Sequence, residues 1–104
     1  MKRVIANARE LEWVDGPYPR VKMKVFPSEI ETGTYTILLD VPAGAKLERH
    51  DEPLNEVFYV LSGNLNIEGK PCTEGTYYFT PAGRAHGPFE TEEGCLILVT
   101  KFSR

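Results

Sequence analysis

Both histidines of this chain sit in short stretches rich in glycine, proline and carboxylates. The first stretch runs from Gly44 to Gly63 and carries His50, Glu52 and Glu56. The second runs from Gly75 to His86, with Pro81 and Gly83 just ahead of the histidine. Imidazole nitrogen and carboxylate oxygen are donors that divalent iron, manganese and zinc accept. Side chains at i and i+2 of a strand share a face, so His50 and Glu52 can point the same way. Glu56 cannot join His50 along one straight strand, because six residues at ~3.3 Å each span roughly 20 Å. Metal bonds are only ~2 Å long. The chain must therefore turn, and Pro53-Leu54-Asn55 is where a turn fits. Pro81 and Gly83 supply a second tight turn that can aim His86 inward. The competing reading is a pair of surface or hydrogen-bonded histidines beside a solvated acidic loop of Asp51, Glu52 and Glu56.

Strand patterns surround these stretches. Val21, Met23 and Val25 alternate with Lys22 and Lys24, and Tyr35 to Val41 alternates in the same way. Val57 to Leu61 is a continuous apolar run, and Leu65 and Ile67 alternate with Asn64, Asn66 and Glu68. Thr76 to Thr80 and Cys95 to Phe102 complete the set. Turn signals fall between them at Pro27-Ser28, Glu31-Thr32-Gly33, Pro42-Ala43-Gly44, Ser62-Gly63-Asn64, Gly69-Lys70-Pro71, Pro81-Ala82-Gly83 and Glu93-Gly94. Many short strands with Gly and Pro between them predict an antiparallel all-β sandwich or barrel. The best helical stretch, Ala8 to Val14, is short and is stopped by Gly16, Pro17 and Pro19.

A chain of 104 residues with a formal charge of -3 predicts one domain, spanning 1–104, with a small core. Its lysines and arginines are scattered, which predicts no nucleic-acid partner. The start lacks an apolar stretch long enough for a signal peptide, and no run approaches a membrane span. A cytoplasmic protein is expected. Cys72 and Cys95 lack CxxC spacing and read as reduced thiols.

The two stretches resemble the two motifs of the cupin superfamily, G-x5-H-x-H-x3-E-x6-G and G-x5-P-x-G-x2-H-x3-N. The chain departs from the motifs twice: Glu52 replaces the second histidine of the first, and Glu90 replaces the asparagine of the second. The resemblance implies a double-stranded β-helix, the jelly-roll cupin barrel. It also implies that His50, Glu56 and His86 are metal ligands, with Glu52 at a fourth ligand position. Two neutral imidazoles and two carboxylates would balance a divalent Fe, Mn or Zn. Without Glu52, the set resembles the two-His-one-carboxylate triad. Further stretches, Glu10 to Trp13, Gly75 to Tyr78 and His86 to Val99, are similar to zinc-binding anti-sigma cupins and diketone-cleaving dioxygenases. The length leaves no room for a sigma-binding helical domain, so that role is not expected.

The resemblance points first to a small-molecule oxygenase. A non-catalytic ligand- or metal-binding module is the second reading. A metal-dependent isomerase or lyase with Glu52 as catalytic general base is the third. Phe58 and Val60 share strand parity with Glu56 and should face the same interior, and Tyr78 or Phe79 should line the opposite wall. A homodimer is expected, with the strand at Val21 to Val25 contributing.

Overall fold

The computed structural model describes residues 3–27 and 34–103. The turn expected at Glu31-Thr32-Gly33 lies outside these residues, as does Ser28. A single 3-10 turn, Ala8–Glu10, is the one helical element among them, and the Asn7 side chain accepts from the Arg9 amide to cap it. The rest is strand and loop. The strands are β1 (Val14–Asp15), β2 (Lys22–Val25), β3 (Tyr35–Val41), β4 (Lys46–Leu47), β5 (His50–Asp51) and β6 (Asn55–Ile67). They continue as β7 (Lys70–Thr73), β8 (Tyr77–Thr80), β9 (Ala85–His86), β10 (Phe89–Glu90) and β11 (Cys95–Phe102).

All described pairings are antiparallel. The main sheet runs β1-β2-β3-β11-β6-β10-β4, with β7 and β8 also paired to β6. β6 makes the sheet curl. Its first part, Asn55 to Gly63, pairs with β11, and Glu56 to Tyr59 also pair with β8. Its last part, Asn64 to Ile67, pairs with β7, and Asn66 and Ile67 also pair with β10. One strand thus serves both faces of a half-barrel, consistent with the jelly roll that the cupin resemblance implies.

Ser62-Gly63-Asn64 is not a turn. The register against β11 slips between Leu96 and Ile97, so Leu61 is the extra residue of a bulge. Gly63 makes the bend possible: its φ is +76°, and a Cβ there would lie 2.1 Å from the Gly94 carbonyl oxygen. Nor is Gly69-Lys70-Pro71 wholly a turn, since Lys70 and Pro71 already belong to β7.

Alternation along β6 and β11 builds the core. Glu56, Phe58 and Val60 are buried, while Val57 and Tyr59 are not. Val60, Ile97, Val99, Leu65 and Phe89 are all at most 1% exposed. Each such side chain contributes roughly 1.5–3 kcal/mol by leaving water. His86 is equally sealed, at 1% exposed, so this apolar core surrounds a polar ring.

Candidate metal centre

Two short strands bring the motifs together. β5 pairs with β9, and His50 stands directly opposite His86. The bend expected at Pro53-Leu54-Asn55 is present at Pro53 and Leu54, and β6 begins at Asn55. Two hydrogen bonds lock the hairpins together. The Gly83 amide donates to the Glu52 carbonyl (2.8 Å), and the Ala82 amide donates to Asn55 Oδ1 (2.9 Å). Gly87 lets the strands approach closely, since a Cβ there would sit 2.9 Å from Arg49 Cα. Glu56 then lies between Thr80 on β8 and Lys101 on β11, its register partners on either side.

Three of the four expected ligands form one cluster, and Glu56 lies beside it. His50, Glu52 and His86 each offer a ligand atom within 4.8 Å of the others, a cluster able to hold a divalent metal ion. Glu56 Oε1 lies 3.4 Å from His86 Nε2. The rings are oriented from behind, as metal-bound imidazoles require. His50 Nδ1 is 2.9 Å from the Glu48 carbonyl oxygen, and His86 Nδ1 is 3.3 Å from Thr80 Oγ1. Protons on Nδ1 leave both Nε2 lone pairs facing each other across 3.0 Å. That spacing suits one ion, because two ~2.1 Å bonds at a right angle separate their nitrogens by ~3.0 Å. The carboxylates also fit. Glu56 Oε1 is fully buried and accepts no hydrogen bond among the described residues, which leaves it free to ligate.

Burial governs the charges. It pushes the Glu56 carboxyl up to about 7, against the opposing pull of the Lys101 ammonium. It pushes the His86 imidazole down, and the neighbouring His50 adds to this, so the ring is neutral and ready to bind a cation. Lys101 Nζ donates to Glu52 Oε2 at 2.9 Å and lies 3.3 Å from Glu56 Oε2. Burial disfavours its charge, yet Glu52 and Glu56 outweigh burial and hold its pKa above the ordinary value.

A cavity of about 110 Å³ opens beside these groups, lined by Tyr18, Leu47, His50, Glu52, Phe58 and Lys101 among others. The sequence-derived pocket residues fare unevenly. Phe58 lines the cavity. Val60 shares its parity but lies deeper, sealed in the core at 0% exposed. Tyr78 packs behind the site, its ring stacked on His86 at 12° and its centroid 5.7 Å from that of Phe58. Phe79 points outward and is 46% exposed, because Tyr78 and Thr80 take the inward positions of β8.

Sequence reasoning missed Lys101 and Tyr18. Lys101 shares odd-number parity with the buried Ile97 and Val99, a usable signal. Tyr18, whose Oη lies 3.0 Å from His50 Nδ1, comes from an irregular loop that carries no periodic signal.

Solved structures with the same fold include an acetylacetone dioxygenase from Acinetobacter johnsonii. It is 18% identical with a TM-score of 0.76, over 98% of this chain and 74% of that one. KdgF from a Halomonas species gives 18% identity and a TM-score of 0.81, over 99% and 96%. The anti-sigma factor ChrR of Rhodobacter sphaeroides, solved with SigE, gives 20% identity and a TM-score of 0.74. There the match covers 91% of this chain and 50% of that one. No curated protein matches the sequence significantly. The ChrR cupin-like domain family matches residues 1–103, so the chain belongs to that family of cupins.

Proposed function

We propose that this protein is a metal-dependent enzyme of the oxygenase type, acting on a small molecule at a divalent ion. His50, His86, Glu56 and Glu52 would hold that ion, which would be Fe, Mn or Zn. The observation that carries this reading is the pair of Nε2 atoms 3.0 Å apart beside a buried carboxylate oxygen without a hydrogen-bond donor. The likeness in fold to the dioxygenase of Acinetobacter johnsonii supports the reaction type. When bound, the ion would bring oxygen and substrate together and polarise a substrate oxygen.

The chain's own residues do the rest. Glu48 and Thr80 orient the two imidazoles from behind. Phe58 and Leu47 give the cavity apolar walls that exclude water, so the charged groups act in a low dielectric. Lys101 holds Glu52 and keeps its carboxylate in the site.

No helix among the described residues is long and apolar enough to cross a membrane. Two free buried cysteines fit the reducing cytoplasm. We assign the protein there as a homodimer, on the strength of the exposed apolar residues near its N-terminus.

The test is untagged purification, metal analysis, and oxygen uptake by the iron-loaded protein with small diketones and carboxylic acids. Oxygen consumption that His86→Ala abolishes is expected. Stoichiometric metal with tight ligand binding and no turnover would replace the oxygenase with a binding module. Proton exchange without oxygen uptake would replace it with an isomerase that uses Glu52 as base.

A further inference from the structure

Lys101 has a role that holding Glu52 does not exhaust. It stands on β11 opposite Glu56, with its side chain 20% exposed and its ammonium 2.9 Å from Glu52 and 3.3 Å from Glu56. Before an ion binds, that ammonium balances one of the two carboxylates. After a divalent ion binds, the balance reverses. The ion alone cancels Glu52 and Glu56, the imidazoles are neutral, and the lysine charge is left over. Lys101 cannot withdraw to water without breaking both contacts. Excess charge in an apolar-walled cavity is unfavourable unless a partner arrives.

The cavity limits what that partner is. At about 110 Å³ it has room for a small molecule and not for a bulky one. Lys101 and His50 both line it, as does Tyr18, whose hydroxyl can donate a further hydrogen bond. Phe58 and Leu47 present only carbon. The complementary ligand is therefore small, compact and singly negative, with two oxygens close together.

We propose that Lys101 is the substrate-selecting residue of the loaded site. It pairs with one oxygen of a small monoanion, a carboxylate or an enolate, whose other oxygen faces the ion. This inference rests on the metal-dependent reading above and extends it to a substrate class. It needs no redox step, so it can be tested with an inert ion.

The experiment titrates the zinc-loaded full chain with acetate and with acetamide, its neutral counterpart of nearly equal size, by calorimetry. Acetate should bind roughly tenfold tighter or better than acetamide, reflecting a charge-assisted hydrogen bond. Lys101→Met, saturated with zinc, should bind zinc more weakly and lose most of that preference, its acetate-to-acetamide affinity ratio falling about tenfold. Zinc-loaded Lys101→Met that prefers acetate as strongly as wild type overturns the proposal. If Lys101→Met fails to fold, Lys101→Gln takes its place under the same criterion, and equal affinity of wild type for acetate and acetamide also overturns the proposal. Failure of wild type to bind zinc would appear in the preceding zinc titration. It would sink the metal-dependent reading, and this inference with it. Failure to consume oxygen would touch only the reaction type.

Discussion

His50 Nε2 faces His86 Nε2 at 3.0 Å across the β5–β9 pair, and each ring is held from behind through Nδ1. Two lone pairs do not sit that close without a proton or a cation between them. Both rings are needed to hold an ion, because the chain has only these two histidines. His50→Ala should therefore abolish stoichiometric metal, as measured by elemental analysis. His50 is half-buried, so the metal-free variant should lose only about 1 kcal/mol of stability. His86→Ala should also abolish metal. It should cost more stability, about 2–4 kcal/mol in denaturant titration, because it opens a hole in the sealed core. Full metal content in both variants would refute the site.

Metal affinity should depend on pH through Glu56. Its carboxyl sits at about 7 in the metal-free protein, raised from the ordinary 4.5 by burial. His86 is shifted down by burial and is neutral at lower pH than a free histidine. The Glu56 proton is then one that a metal must displace near neutral pH. Affinity for zinc should climb between about pH 6 and pH 8 and then level off. Glu56→Gln should remove that rise while weakening binding overall. Metal-free stability should run the other way. A carboxyl with a raised folded pKa favours the folded state at low pH, and that contribution is lost as pH rises from 4.5 through about 7. Denaturant midpoints in chelator across this window check the sign.

The candidate metal cluster is legible because motif spacing survives loop detail. Glycine and proline offsets point to His50, Glu52, Glu56 and His86; the first two and His86 form one cluster, and Glu56 lies 3.4 Å from His86. Parity along β6 placed Phe58 on the cavity. Parity failed for Phe79, since the turn at Pro81 hides which residues of β8 face inward. Lys101 was overlooked for a different reason. A lysine at the end of an apolar run reads as the strand's solvated end, and only the neighbouring carboxylates of another strand draw it inward. The bulge at Gly63 is not legible in the sequence, because a glycine between two apolar runs signals a turn as readily as a bend.

That bulge gives a test of the fold. Gly63→Ala would put a Cβ against the backbone of Gly94 at 2.1 Å, at a φ of +76°. Neither backbone can yield cheaply, because Gly63 is paired with Cys95, the residue next to Gly94, and β6 continues into its pairing with β7. The variant should lose about 3 kcal/mol or more. Gly69→Ala has the same sign of φ but meets nothing within 4 Å, and should lose only about 1 kcal/mol. Equal losses in thermal or denaturant unfolding would refute the bulge.

The N-terminal part of the chain should form the dimer contact. β1 lies at the edge of the sheet. Trp13, Val14 and Val25 are each more than 40% exposed, and Ile5 is 91% exposed. Edge strands and apolar side chains of this kind are covered by association. Val14→Lys combined with Val25→Glu should give a monomer in light scattering while keeping the β-rich circular dichroism of wild type. A wild type that is monomeric at micromolar concentration would refute the dimer.

Glu52 is where this chain departs from the superfamily motif, and its replacement should be the most informative. Glu52→His restores a third imidazole beside His50 and His86 and removes one negative charge. Lys101 then loses its 2.9 Å hydrogen bond to Glu52 but keeps Glu56 at 3.3 Å. If Glu52 ligates the ion, the substitution changes the donors from two imidazoles and two carboxylates to three and one. Nitrogen-rich sets raise affinity for zinc and copper relative to manganese. The ratio of zinc to manganese affinity should therefore rise, about tenfold or more, measured by competition with a chromogenic chelator. Glu52→Gln separates charge from ligand identity: it should weaken both metals together and leave the ratio near that of wild type. If Glu52→His leaves the ratio untouched, Glu52 is not a ligand, and its part in the site is only to hold Lys101.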